Sequence, residues 1–114
     1  MKPGDRDAAN LHDMLEVALE ARELVSDIQA EAFLQDRLRG RALERMLELI
    51  GEAARRIPPE CQAEYPEIRW RRIIGQRNIL AHEYGRIDPK LLYQTARQDM
   101  PSLIAALERI LPRI

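Results

Sequence analysis

A chain of 114 residues has room for one domain with a modest core, and the whole span 1–114 is expected to form it. Apolar residues make up 46% and aromatic residues only 4%, so the core must be aliphatic, while abundant Leu, Ala, Glu and Arg favour helix. A formal net charge of -1 argues against the global positive field that drives non-specific nucleic-acid binding and leaves room only for local basic patches.

The N-terminal run Met1-Lys2-Pro3-Gly4-Asp5-Arg6-Asp7 is polar, and no segment approaches the roughly 20 apolar residues of a membrane span. The first periodic segment carries Leu11, Met14, Leu15, Ala18, Leu19, Ala21, Leu24, Val25 and Ile28, the spacing of one helical stripe. Helical composition continues to Leu34, and Asp36 is suited to cap a new helix, so a break is expected between Ala30 and Asp36.

A second helix follows from the stripe Leu43, Met46, Leu47, Ile50, Ala53, Ala54 and Ile57, with Glu44, Arg45, Glu48, Glu52, Arg55 and Arg56 on much of its other face. Pro58-Pro59 ends it. Gly51 in its interior costs roughly 1 kcal/mol relative to Ala, which points to a neighbouring helix approaching closely there.

The connector from Pro58 to Pro66 has room for one short helical turn. It holds Cys61, a lone cysteine without a disulfide partner, read as inert in a reducing cytoplasm. A third helix is expected over Glu67 to His82, with Ile68, Ile73, Ile74, Ile79 and Leu80 apolar and Trp70 as an anchor. Gly85 offers a stop, and Asp88-Pro89 reads as an N-cap followed by Pro at the first position of a fourth helix. That helix runs through Leu91, Leu92, Thr95 and Ala96 to Leu111, with a kink or restart expected at Asp99-Met100-Pro101. The sum is all-α: an antiparallel bundle of four main helices.

Chemistry concentrates in Arg77-Asn78-Ile79-Leu80-Ala81-His82-Glu83-Tyr84. His exchanges a proton near neutral pH, Arg carries a permanent charge shaped for phosphate, and Tyr offers a modifiable hydroxyl. Asn78 and His82 fall one turn apart on the same helix face. Arg77 precedes His82 by five residues, a rotation of about 140° and a rise of about 7.5 Å, which favours a site completed by a second copy of the chain.

The reaction that suits these groups is metal-free RNA cleavage, with His82 as general base or acid, Arg77 as the phosphate clamp and Asn78 as a positioning group. Arg69, Arg71, Arg72 and Arg86 outweigh Glu67, Glu83 and Asp88 nearby, and Arg69, Arg72 and Arg86 are candidate RNA contacts. Each residue also has an ordinary reading: a surface or capping histidine, a surface ion pair, a core-edge tyrosine, a solvated arginine face. One cysteine and two histidines give no metal-ligand spacing, so no metal site is expected.

The motif resembles the Arg-x4-His-x-Tyr motif of HepT-type proteins in the HEPN superfamily. The likeness extends to Leu47-Glu48-Leu49-Ile50-Gly51-Glu52-Ala53-Ala54-Arg55-Arg56, to Tyr65-Pro66-Glu67-Ile68-Arg69-Trp70, to Ile73-Ile74-Gly75-Gln76 and to Asp99-Met100-Pro101, which is nearly the whole chain. The resemblance implies a homodimeric ribonuclease toxin of a prokaryotic toxin-antitoxin pair, acting in the cytoplasm on RNA in a cleft formed by both chains. Arg77 and His82 inherit the catalytic role and Asn78 a supporting one. It further implies a minimal nucleotidyltransferase antitoxin that neutralises the toxin by transferring AMP to Tyr84. ATP and magnesium then belong to that partner, and the ribonuclease needs no cofactor. Two rival readings remain: a non-catalytic helical module that serves a nucleotidyltransferase, and a plain structural helical protein.

Overall fold

The computed structural model describes residues 4–82 and 87–111. Among these there is no strand, and the order is α1 (Asp5–Val25), α2 (Ala30–Gln35), α3 (Arg37–Arg55), α4 (Pro59–Glu64), α5 (Trp70–His82) and α6 (Pro89–Ile110). Four long helices carry the bundle and two short ones join them. α3 packs against α1 on one side and α5 on the other, and α6 closes the bundle chiefly against α1.

The sequence stripe of α1 is its buried seam: Leu11, Met14, Ala18, Ala21 and Val25 are fully or almost fully buried. The helix nevertheless ends at Val25, before the break expected between Ala30 and Asp36, and Ile28 lies beyond it in the connection to α2. The cause is distant in sequence. Arg39 Nη1 donates to Leu24 O at 2.8 Å, Arg97 Nη1 to Val25 O at 3.2 Å, and the Tyr93 hydroxyl to Ile28 O at 2.7 Å. Side chains of α3 and α6 thus satisfy carbonyls that the end of α1 leaves open. Asp36 separates α2 from α3 and caps α3 as expected, its Oδ1 accepting from Arg39 N at 3.1 Å.

Pro58 caps α4 and Pro59 occupies its first turn, so the expected connector turn is a helix of six residues. Gln62 Nε2 donates back to Ile57 O at 2.9 Å, closing the end of α3. The third long helix begins at Trp70, not at Glu67. Trp70 Nε1 donates to both Gln62 O and Tyr65 O at 3.1 Å, and Ile68 N to Tyr65 O at 3.2 Å. The segment between is therefore held as a turn folded under the indole, leaving Glu67 exposed outside the helix.

Asp88 caps α6, its Oδ1 accepting from Lys90 N at 3.0 Å. Of the kink or restart expected at Asp99-Met100-Pro101, the restart does not occur: α6 is one helix to Ile110. Pro101 sits on the exposed side, while Met100, Leu103 and Ile104 around it are buried, so packing on both sides of the missing N–H holds the helix together. No helix among the described residues is long and apolar enough to cross a membrane.

Candidate functional site

The site is built where α5 crosses α3. A β-carbon at Gly51 would lie 2.8 Å from Arg77 Cγ and 3.0 Å from the Ile73 carbonyl oxygen. The bare glycine lets the base of the Arg77 side chain lie directly on α3, which is the close approach that its position in the helix suggested.

Seated there, the Arg77 side chain is only 13% exposed. Its Nη2 lies 4.0 Å from Glu52 Oε1, and its Nη1 donates to Asn78 Oδ1 at 3.2 Å. Its Nε–H is buried with no acceptor among the described residues. Glu52 also faces Arg45, whose Nη1 stands 3.8 Å from Glu52 Oε1 and 3.3 Å from Glu48 Oε1. Among the described residues one distant carboxylate and one amide hold the guanidinium, an arrangement that can still present N–H groups to a phosphate.

Asn78 and His82 are exposed and share the outer face of α5 one turn apart. Asn78 is thus a link: its amide oxygen draws one amino group of Arg77 toward the face that carries His82. The sequence suggested a positioning group, and the bond to Arg77 gives it a side chain to position. Arg71, exposed and seven residues before Asn78, stands on the same face.

Arg69 and Arg72 are exposed but belong elsewhere: they line a cavity of about 130 Å³ shared with α3 and α6. Arg72 Nη2 is paired with Asp99 Oδ2 at 2.9 Å, so part of its charge is already spent within the chain. Arg71 is therefore better placed than Arg72 to accompany His82, and its spacing to Asn78 was the signal for it. Glu52 was legible only as one member of a charged helix face. Tyr84 and Arg86, like Glu83 and Gly85, lie outside the described residues.

Cys61 is buried; desolvation raises its thiol pKa, and Asp7, Glu64 and Glu60 add to the effect. Burial and a raised pKa both disfavour the thiolate, the form in which a cysteine reacts. Among the described residues no group of three or more His, Cys, Asp or Glu side chains is placed to hold a metal ion.

Residues 14–110 match the family described as "Ribonuclease HepT-like". The chain is 36% identical over 100 residues to "Putative RNase MJ1380" of Methanocaldococcus jannaschii, an alignment covering 88% of this chain and 92% of the relative. It is 37% identical over 102 residues to "Probable ribonuclease HepT" of Thermococcus cleftensis, covering 86% and 93% respectively. A third relative, "Putative RNase TTE0752" of Caldanaerobacter subterraneus, is 33% identical over 91 residues, covering 80% of this chain and 81% of its own. No solved structure matches the chain at comparable stringency.

Proposed function

The chain belongs to the HepT-like ribonuclease family, and from that premise we propose that it is an endoribonuclease whose site is composed across two copies, with Arg77 and His82 as the catalytic pair. The observation that carries this reading is the divergence of the two side chains on one helix. Arg77 is pressed against α3 and 13% exposed, while His82 stands on the open outer face. A second copy facing that surface brings its Arg77 to the phosphate at this chain's His82, and this chain's Arg77 serves the second copy's His82 in turn.

In the cleavage step a His82 imidazole takes the proton of a ribose 2′-hydroxyl, and the 2′-oxygen attacks the adjacent phosphorus. The bond from phosphorus to the 5′-oxygen breaks, and that oxygen takes a proton from a protonated His82. The products are a 2′,3′-cyclic phosphate and a 5′-hydroxyl. Arg77 binds the non-bridging oxygens as charge builds on them, and Asn78 holds Arg77 in place. No step calls for a cofactor.

The same reading makes the protein the toxin of a toxin-antitoxin pair in the cytoplasm, where RNA and ATP are present. Its partner is a minimal nucleotidyltransferase antitoxin that uses ATP and magnesium. The Tyr84 phenol attacks the α-phosphorus of ATP, pyrophosphate leaves, and AMP remains on the ring. An adenylyl group two residues from His82 adds bulk and negative charge at the edge of an RNA cleft, which blocks entry and repels the backbone.

Purified protein is expected to cut RNA with EDTA present, and Arg77→Ala or His82→Ala to slow cutting at least about a hundredfold while circular dichroism shows an unchanged fold. Equal integrity of the RNA with parent and both variants would give the case to a non-catalytic module. With partner and ATP, intact-mass analysis is expected to show added AMP on the parent and none on Tyr84→Phe, which stays toxic. Label on Tyr84→Phe would remove Tyr84 from the regulation.

A further inference from the structure

The ordering of a buried arginine is rarely left to the arginine alone, because its long side chain has many rotamers and its charge must be balanced. Three observations bear on how Arg77 is ordered. Its base is fixed by the bare surface of Gly51. Its head stands between Glu52 at 4.0 Å and Asn78 at 3.2 Å. Its Nε–H is buried and has no acceptor among the described residues, so they seat the guanidinium without saturating it.

We propose that Glu52 is a positioning residue for the ribonuclease reaction, orienting the Arg77 guanidinium toward the scissile phosphate while Arg45 steadies the Glu52 carboxylate. The inference rests on the ribonuclease reading of Arg77. Arg45, Glu48 and Glu52 succeed one another at three- and four-residue spacing, so they form one charged ridge of α3 running up to the crossing with α5. Glu52 is one quarter exposed and immediately follows Gly51, which fixes its carboxylate beside the seat of Arg77.

The length of the pair matters. At 4.0 Å the carboxylate and guanidinium attract without a formed hydrogen bond, so the fork of Arg77 is aimed but not consumed. A bidentate pair would leave phosphate to compete with Glu52 for the same N–H groups. Arg45 offsets the negative charge that Glu52 places near an incoming phosphate. Glu52 touches no reacting atom in this arrangement; it acts through Arg77.

The test is Glu52→Gln, which keeps size and loses charge, assayed on RNA in EDTA buffer beside Arg77→Ala, Arg45→Gln and the Glu52→Gln/Arg77→Ala double variant. Glu52→Gln is expected to lower kcat about tenfold with KM within about twofold, since a misaimed guanidinium loses transition-state contact more than ground-state binding. Added to Arg77→Ala, it is expected to change the residual rate no further, because its effect passes through Arg77. Arg45→Gln, one step removed, is expected to lower kcat about threefold with the unfolding temperature unchanged.

A Glu52→Gln variant that cuts like the parent while Arg77→Ala is inactive overturns this inference and leaves the ribonuclease reading standing. A further fall when Glu52→Gln is added to Arg77→Ala also overturns it. An Arg77→Ala variant that cuts like the parent defeats the catalytic assignment of Arg77 first. If Glu52→Gln does not fold, Arg45→Gln decides, and an unchanged kcat there overturns the inference.

Discussion

Gly51 and Arg77 form a pair in which the absence of one side chain sets the position of the other. An alanine at Gly51 gains about 1 kcal/mol of helix propensity. Its β-carbon meets Arg77 and the Ile73 carbonyl of a packed helix, and overpacking of that kind costs about 1–3 kcal/mol, with backbone displacement included. The crossing wins, because the obstructing atoms are backbone and the rigid base of a side chain. Gly51→Ala is therefore expected to lower the thermal midpoint by several degrees and to reduce RNA cleavage further than the loss of folded protein explains, as α5 lifts and carries Arg77 with it. A rise in the midpoint would show that α5 yields freely at Gly51. At this scale the sequence was partly legible: a glycine inside a strong helix stripe announced a close neighbour, and Asp36 and Asp88 announced caps. The partner of Glu52 was not legible, because Arg77 is 25 residues away and only the crossing brings the two together.

At the scale of elements, the interiors of helices followed from their apolar stripes, and their ends did not always follow from local signals. α3 and α6 start where a capping aspartate stands, since an N-cap is a bond between near neighbours. α1 ends early because Arg39, Tyr93 and Arg97 take up carbonyls at and beyond its last turn, and the last two come from 65 or more residues away. α5 starts late because the Trp70 indole ties down the segment before it. α6 passes through Pro101 because apolar burial on both sides outweighs one missing hydrogen bond. Each departure has the same form: a tertiary contact overrides a local preference worth about 1–3 kcal/mol. For the site, this means that the Arg77 to His82 segment is positioned from α3 and from the Trp70 anchor as much as by its own sequence.

For the whole molecule, Gly75 contrasts with Gly51. Both sit inside long helices and carry the same propensity cost, yet a β-carbon at Gly75 would meet nothing within 4 Å among the described residues. Packing among the described residues gives no reason for it. Gly75 lies on the outer side of α5 with Arg71, Asn78 and His82, where a bare backbone would admit a second copy's helix to close range. If two copies meet there and each site takes Arg77 from one chain and His82 from the other, two inactive variants complement each other. Arg77→Ala mixed with His82→Ala gives heterodimers with one intact and one doubly defective site. Random exchange makes half the dimers mixed, so the expected activity is about a quarter of the parent's. Adding Gly75→Leu to both variants is expected to abolish that rescue and shift the protein to monomer in sedimentation velocity. Each chain would stay folded, because the leucine projects into open space and favours helix. Parent and single variants in the same concentration series control for loss of fold. Inactivity of the mixture while the parent sediments as a dimer would place Arg77 and His82 in one chain's site. Dimerisation of the Gly75→Leu protein equal to the parent's would move the interface off α5.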